Sequence, residues 1–234
     1  MYWLWIDARR RDRRLRELVA RAEAVGVPVE TVEGQVLDQM LGHGERHQGV
    51  VARYSPLPVL AEDALASLLH AVSGAPLVLV LDEVTDPHNL GACLRTADAA
   101  GVTAVVTPRD RSARLTPAVR KVASGAAEVV PLVQVTNLAR AMQELKGLGL
   151  WLVGMADEAG QSLYGMDLRL PLALVLGAEG RGLRRLTAER CDHLAALPMQ
   201  GAVESLNVSV AAGICLYEAL RQRGAALAAA TSGG

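Results

Sequence analysis

Net charge, lysine and cysteine are all scarce in this sequence. Its 234 residues include 24 Lys and Arg against 25 Asp and Glu, so the formal net charge is −1. This balance excludes a wholly basic nucleic-acid-binding chain, and a polyanionic partner would have to meet a local patch. Only two basic residues are lysines, Lys121 and Lys146. The arginines suit bidentate phosphate contacts, although a genome-wide arginine bias explains their number equally well.

Disulfides, metal-ligand spacings and membrane segments are missing too. The three cysteines lie far apart and form no CxxC pair: Cys93, Cys191 and Cys215. This pattern argues against a disulfide framework or a zinc cluster and fits a reducing compartment. His43 and His47 are four residues apart, but the glycines around them predict a loop. No apolar run reaches the ~18 residues of a transmembrane helix, so we expect a cytoplasmic protein without metal or membrane contact.

The residues that are present indicate an α/β protein in two parts. Apolar residues make up 51% of the chain, which excludes disorder as its main state. Residues 1–55 predict a small α/β domain, 56–75 a linker with one short helix, and 76–234 a larger domain. In the larger domain, apolar runs alternate with helical segments, which predicts a parallel sheet with helices on both faces. Strands are predicted at Leu77–Leu81, Ala104–Thr107, Glu128–Val133, Leu150–Gly154, Leu172–Leu176 and Leu194–Leu197. The predicted helices include Leu90–Ala100, Leu183–Glu189 and Leu206–Arg223.

Three segments with polar residues follow predicted strands, where open α/β sheets bind ligands. In the first, Asp86-Pro87 predicts a turn, Asn89 a helix N-cap, and Arg95 a position in the second helical turn. An ordinary strand–helix loop with a capped helix explains this segment equally well. In the third segment, Ser205 and Asn207 begin an otherwise apolar helix, and Ser205 alone is typical of an N-cap.

The second segment, Gly177–Gly182, has the order G-x-x-G-x-G. Three glycines between a strand and a helix indicate close backbone approach to a ligand. The order differs from the dinucleotide motif G-x-G-x-x-G, and no P-loop lysine follows. Glu179 would repel phosphate, so the loop favours an uncharged or cationic ligand.

Together the three segments resemble the motifs of the SpoU-type RNA 2′-O-ribose methyltransferases, a branch of the SPOUT superfamily. The first is similar to N-x-G-x-x-x-R-T-A, the second to G-x-E-x-x-G, and the third to P-M-x-G-x-x-x-S-L-N-V-S-V-A. The first domain, with His47–Ala52, resembles the substrate-binding domain of the bacterial enzymes that methylate a guanosine of 23S rRNA. We expect this domain to be shortened, because its usual first strand and helix are missing.

The resemblance implies a C-terminal trefoil knot in which three loops bind S-adenosylmethionine. The cofactor-binding residues it implies are Gly177, Glu179, Gly182, Leu197, Met199, Gly201, Ser205 and Leu206. The catalytic residues it implies are Asn89, Arg95, Glu179, Ser205 and Asn207. The reaction it implies is methyl transfer to a ribose 2′-hydroxyl of 23S rRNA. Methylation of another RNA such as tRNA, a catalytically silent RNA-binding member, and a nucleotide-dependent α/β enzyme of another class remain alternatives.

Arg95 is the key residue in this resemblance. A free arginine side chain is a poor general base because it stays protonated, so we expect Arg95 to bind an RNA phosphate and polarise the hydroxyl. Proton acceptance by arginine stays open. Because this arginine often comes from the partner subunit in the family, a homodimer through the knot is expected. The last helix, with Val208, Ala212, Leu216 and Leu220, is either that interface or core.

Two basic clusters are candidates for RNA phosphate contacts. The first lies near the N-terminus and consists of Arg9, Arg10, Arg11, Arg13 and Arg14. The second follows the second strand of the larger domain and consists of Arg109, Arg111, Arg114, Arg120 and Lys121. A solvated protein face is the alternative interpretation of both.

Overall fold

The computed structural model describes residues 1–42 and 46–232. His43 therefore lies outside the described residues. The chain divides into two compact units, Met1–Pro56 and Leu57–Gly234. Within the described ranges, no cluster of three or more His, Cys, Asp or Glu is arranged to hold a metal ion. In the same ranges, no helix has the length and apolar character needed to span a membrane.

The first unit is a three-stranded sheet with two helices. Its elements are β1 (Trp3–Asp7), α1 (Arg13–Ala24), β2 (Val29–Val32), α2 (Gly34–Leu41) and β3 (Val50–Arg53). The central strand β1 pairs parallel with β2 and antiparallel with β3. Leu4 of β1, Leu15 of α1 and Leu37 of α2 are buried and supply the core. α1 begins where it does because the Asp12 side chain accepts a hydrogen bond from the N–H of Leu15.

The second unit contains a six-stranded sheet with the order β6-β5-β4-β8-β7-β9. All its strand pairs are parallel. The strands are β4 (Leu77–Leu81), β5 (Ala104–Pro108), β6 (Leu132–Val135), β7 (Trp151–Met155), β8 (Leu172–Leu176) and β9 (His193–Ala195). The helices are α3 (Ala64–His70), α4 (Pro87–Ala99), α5 (Pro117–Ala123), α6 (Leu138–Gly147), α7 (Arg185–Arg190) and α8 (Val208–Ser232).

Helices cover both faces of this sheet, as the sequence predicts. On one face, alternate residues of β4 such as Leu79 pack with Leu90 of α4 and Leu216 of α8. On the other face, Val78 and Val80 pack in the cluster that contains Met142 of α6. Every residue of β4 and β8 is buried, because both central strands lie between two helical layers. The carboxyl ends of these strands share one edge of the sheet, which brings their following loops together.

One predicted strand is wrong at its start, and three predicted helix positions shift. Residues Ala126–Glu128 form a 3-10 turn, and β6 begins only at Leu132. The left-handed backbone of Ser124 and Gly125 turns the chain there, so extended structure starts later. α4 begins at Pro87, three residues before the predicted Leu90, because Asp86 caps it. α7 begins at Arg185 rather than Leu183, and α8 at Val208 rather than Leu206.

The Arg223 side chain connects α8 to the segments that precede two strands of the sheet. Its guanidinium donates hydrogen bonds to the carbonyl oxygens of Ala75 (2.7 Å), Leu168 (3.2 Å) and Leu170 (2.8 Å). Burial lowers its pKa from the usual arginine value. These bonds satisfy carbonyl groups just before β4 and β8, and so hold the last helix against the start of both central strands.

Candidate active site

Side chains from the three segments meet in one hydrogen-bonded cluster, Asn89–Glu179–Asn207. The Asn207 Nδ2 group donates to Asn89 Oδ1 (2.9 Å) and to Glu179 Oε2 (3.5 Å). The Asn89 Nδ2 group donates to the same Glu179 oxygen at 3.4 Å. The three residues follow β4, β8 and β9, so the parallel sheet brings together positions 90 and 118 residues apart.

Capping hydrogen bonds at the starts of α4 and α8 orient this cluster, and they correct the predicted N-caps. Asp86, not Asn89, caps α4, and Asn89 lies inside the first helical turn, where it is buried. Asn207, not Ser205, precedes α8, and its Oδ1 accepts from the N–H (3.0 Å) and hydroxyl (2.7 Å) of Ser209. With its oxygen used in capping, the Asn207 amide nitrogen is turned toward Asn89 and Glu179.

The glycines of the second segment shape the loop itself. A Cβ added at Gly177 would lie 2.0 Å from the carbonyl carbon of Gly182, so the two ends of the loop touch. Gly180 and Gly182 adopt left-handed φ values of 75° and 63°, which closes the turn. The predicted close approach to a ligand is therefore seen here as an approach of the loop to its own backbone.

A cavity of about 470 Å³ lies beside this loop. Seven of the eight residues predicted to bind the cofactor line it: Gly177, Glu179, Gly182, Leu197, Met199, Ser205 and Leu206. Gly201, the eighth, is not among the described lining residues, so its contact with the cofactor stays a prediction. The apolar side chains and the glycine backbone of the lining would enclose a flat heterocycle and offer hydrogen bonds to it.

A fourth segment, Met155–Glu158, also lines the cavity and was not predicted from the sequence. It follows β7, which is a neighbour of β8 in the sheet. Its exposed carboxylates, Asp157 and Glu158, come directly after an apolar strand. The same rule that singled out the other segments, polar residues after a buried strand, would have found it. With Glu179 and Glu204, its two acidic residues give the lining four carboxylates against one arginine, Arg181.

Arg95 stands apart from the cluster. Because α4 begins at Pro87, Arg95 lies in the third helical turn rather than the second. Six positions along an α-helix rotate a side chain by about 600°, so Arg95 does not share a face with Asn89. Its side chain is exposed and, within the described parts of the chain, makes no hydrogen bond or ion pair.

The second basic cluster divides into paired and unpaired side chains. Arg120 is ion-paired with Glu128, and Arg111 with Glu83 (3.4 Å). Arg109 and Arg114 are exposed and have no ion pair among residues 1–42 and 46–232. This division reduces the predicted cluster to two arginines available to an anionic ligand.

The cysteines are not arranged as nucleophiles. Burial raises the thiol pKa of Cys93, Cys191 and Cys215 to about 12. They therefore stay protonated at neutral pH, and thiolate chemistry is excluded for them.

The last helix has a core face and an exposed face. Val208, Ala212 and Leu216 are buried, so these three predicted interface candidates belong to the core. Leu220 is 39% exposed, and Val210 and Tyr217 are each 51% exposed. The exposed side chains share one side of α8, and α8 packs against α4, the helix that carries Arg95.

Comparisons with known proteins agree with this architecture. The SpoU rRNA Methylase family matches residues 76–217, and the domain family described as RNA 2′-O ribose methyltransferase substrate binding matches residues 3–60. A relative from Pseudomonas putida, named 23S rRNA (guanosine-2′-O-)-methyltransferase RlmB, is 58% identical over 94% of this chain and 88% of its own length.

Two solved structures are also similar. The SpoU methyltransferase AviRb from Streptomyces viridochromogenes, in complex with AdoMet, has a TM-score of 0.74 and 27% identity over 95% of this chain and 83% of its own. The TrmH/SpoU tRNA modifying enzyme from A. aeolicus has a TM-score of 0.60 and 31% identity over 70% of this chain and 82% of its own.

Proposed function

Because this chain belongs to the SpoU rRNA methylase family, we propose that it transfers a methyl group from S-adenosylmethionine to the ribose 2′-hydroxyl of a guanosine in 23S rRNA. The observation that carries the proposal is the Asn89–Glu179–Asn207 cluster beside the cavity at the carboxyl edge of the sheet. The 58% identity to a 23S rRNA guanosine methyltransferase supports the substrate. A ribosomal RNA substrate also favours the cytoplasm as the site of action.

The cavity fits the cofactor in size and charge. A volume of about 470 Å³ lies within the range of small-molecule sites. Four lining carboxylates against one arginine, Arg181, match a ligand with a sulfonium and an ammonium group better than a phosphate ligand. Leu197, Met199 and Leu206 would enclose the adenine, and the backbone of Gly177 and Gly182 would hydrogen-bond its edge.

When bound, S-adenosylmethionine supplies a methyl group whose bond to sulfur breaks as the ribose oxygen bonds to its carbon, leaving S-adenosylhomocysteine and one proton. Arg95 would bind the neighbouring RNA phosphate and stabilise the negative charge that develops on the ribose oxygen. Its guanidinium is exposed and has no ion pair in the described part of the chain, so it is available for this contact. Asn89, Glu179, Asn207 and Ser205 would hold the ribose in line with the methyl group. The released proton would leave to solvent.

A homodimer would complete this site. Arg95 does not share a face with Asn89, so a partner subunit would supply the arginine to the Asn89–Glu179–Asn207 cluster. Val210, Tyr217 and Leu220 give α8 an exposed apolar face that would bury against that partner through the predicted knot. The domain predicted at residues 1–55 would dock the RNA, and the linker predicted at 56–75 would connect it to the methyltransferase domain at 76–234.

The function is tested with radiolabelled S-adenosylmethionine, purified 23S rRNA fragments and tRNA. We expect label in one guanosine of the 23S rRNA, resistant to alkaline cleavage at its 3′ side because the 2′-oxygen is methylated. Label in tRNA alone would assign the tRNA alternative. Cofactor binding without label in either RNA would identify a catalytically silent member.

Mixing two inactive variants tests whether Arg95 acts across the dimer. Arg95→Ala and Asn89→Ala each lose one part of the site, but a mixed dimer restores one complete site. After subunit exchange of equal amounts, we expect about a quarter of wild-type activity for a two-fold symmetric dimer. No recovery, in a mixture shown to exchange subunits, would assign Arg95 to its own subunit's site.

A further inference from the structure

Asp82 contacts both ends of the glycine loop from outside the cavity. Its N–H donates to the carbonyl of Leu176, the last residue of β8 (2.8 Å). Its carboxylate accepts from the backbone N–H of Arg184 (3.1 Å), just after the loop. The loop residues Gly177–Leu183 between these points all line the cavity, whereas neither Asp82 nor Arg184 is among its described lining residues.

The Arg184 side chain adds ion pairs to these backbone hydrogen bonds of Asp82. Its Nε and Nη2 lie 2.8 Å and 2.6 Å from Asp82 Oδ1, and its Nη1 lies 3.2 Å from Glu83 Oε1. The hydrogen bonds to Asp82 raise the pKa of Arg184. The Asp82 side chain is fully buried, so its charge depends on Arg184 for compensation. The pair is therefore expensive to break and holds one geometry.

The contacts of Asp82 with Leu176 and Arg184 also fix the position of the loop relative to α4. Asp82 directly follows β4, and α4 begins five residues later. At the far side of the loop, Glu179 accepts from Asn89 of that helix. The loop is thus fixed at its two ends by Asp82 and at its tip by α4. A binding loop fixed before the ligand arrives loses less conformational freedom on binding.

We propose that Asp82 and Arg184 form a positioning pair that holds the Gly177–Leu183 loop in its cofactor-binding shape, and so set the affinity for S-adenosylmethionine without touching it. The inference rests on the proposed function, because it assigns the cavity to that cofactor. It adds two residues outside the cavity to those that control binding.

Calorimetric titration with S-adenosylhomocysteine tests the pair, with Arg184→Gln as the main variant and Arg185→Gln as its matched control. Arg185 is the next residue in the chain, and it pairs with Glu189 on the exposed surface of α7. We expect the Kd to rise about tenfold in Arg184→Gln, since loop ordering must then occur during binding. The Kd should stay at the wild-type value in Arg185→Gln.

Two further variants separate positioning from stability. Arg184→Lys keeps the positive charge but loses the planar guanidinium that donates several hydrogen bonds at once. It should recover part of the affinity. Asp82→Asn combined with Arg184→Gln removes the uncompensated buried charge, so it should unfold at a higher temperature than Arg184→Gln while still binding weakly. Hydrogen exchange should be faster in the peptide covering 177–183 in each weakly binding variant.

The outcomes are distinct. Wild-type affinity in folded Arg184→Gln, or in the folded double variant, would overturn the positioning role. An equal loss of affinity in Arg185→Gln would also overturn it. A wild-type chain that binds neither S-adenosylhomocysteine nor S-adenosylmethionine would instead overturn the proposed function.

Discussion

Arginines are frequent both in the first unit and at the carboxyl edge of the six-stranded sheet. Their ion pairs differ in how far apart the paired residues lie in the sequence. Arg9 pairs with Asp7, Arg10 with Asp12 and Arg13 with Glu17, all within four residues. At the sheet edge, Arg184 pairs with Asp82, 102 residues away, and Arg111 with Glu83, 28 residues away. Local pairs stabilise a single turn, whereas distant pairs join separate loops.

The number of arginines in a region therefore says little about its role. Arg10–Asp12 and Arg13–Glu17 are exposed pairs, which solvent screening weakens, whereas the Asp7 carboxylate beside Arg9 is largely buried. The edge pairs include the fully buried carboxylate of Asp82, which contacts both ends of the loop that lines the cavity. Beside them, Arg95, Arg109 and Arg114 have no carboxylate partner in the described ranges. The edge therefore has both fixed loops and positive charge available to RNA.

Arg95→Ala should give the largest effect on this comparison. Removing a charge that stabilises the transition state costs on the order of 100-fold to 1,000-fold in kcat. Arg13→Gln, which removes a locally paired arginine, should leave kcat unchanged. Single-turnover methylation of the 23S rRNA fragment measures both. Similar rates for the two variants would remove the distinction between the regions.

Arg109→Gln combined with Arg114→Gln should weaken RNA binding about tenfold and make the binding less dependent on salt. Each lost phosphate contact reduces the slope of log K against log salt by about 0.7–0.9. The matched control replaces Arg9 and Arg13, which face carboxylates, and should change the slope less. Filter binding at several salt concentrations gives the slopes. Equal slopes in both double variants would show that pairing does not decide which arginines meet RNA.

Glu83 is the shared partner of Arg184 and Arg111, and it has a left-handed φ of 60°. Glu83→Ala removes the pairs and keeps the strained backbone, whereas Glu83→Gly removes both. We expect Glu83→Gly to be about 1 kcal/mol more stable than Glu83→Ala, because glycine adopts this conformation freely. Urea unfolding measures the difference. Glu17→Ala, at a local pair, should change stability by less than about 0.5 kcal/mol.

Asp12 should give the smallest effect, confined to acid pH. Hydrogen bonds from Arg10 and from the N–H of Leu15 lower its pKa to about 2, below the unfolded value of 3.8. Its stabilisation is therefore present above pH 3.8 and disappears as the pH falls toward 2. Asp12→Asn keeps a capping acceptor but does not titrate, so its thermal midpoint should fall less between pH 4 and pH 2. Parallel acid profiles for both proteins would contradict this assignment.

The sequence predicted the strands of the larger domain well, because short apolar runs such as Leu77–Leu81 are buried on both faces. It predicted helix starts less well, because two capping residues compete at each. Asp86 and Asn89 are both capping candidates near the start of α4, as Ser205 and Asn207 are for α8, and only the packed structure decides which one caps. In both cases the residue left over from that choice is a proposed site residue. Contacts such as Asp82–Arg184 join residues too distant for any sequence period to connect.

The order of the strands has a consequence for synthesis. The neighbours of β4 in the sheet are β5, the next strand in the chain, and β8, which begins only at Leu172. The hydrogen-bond partner of Asn89, Asn207, is synthesised later still. A growing or truncated chain therefore has no complete cofactor cavity, and distant parallel pairing is slow to form. Cofactor binding would thus report that the chain has been made to its last helix and folded correctly.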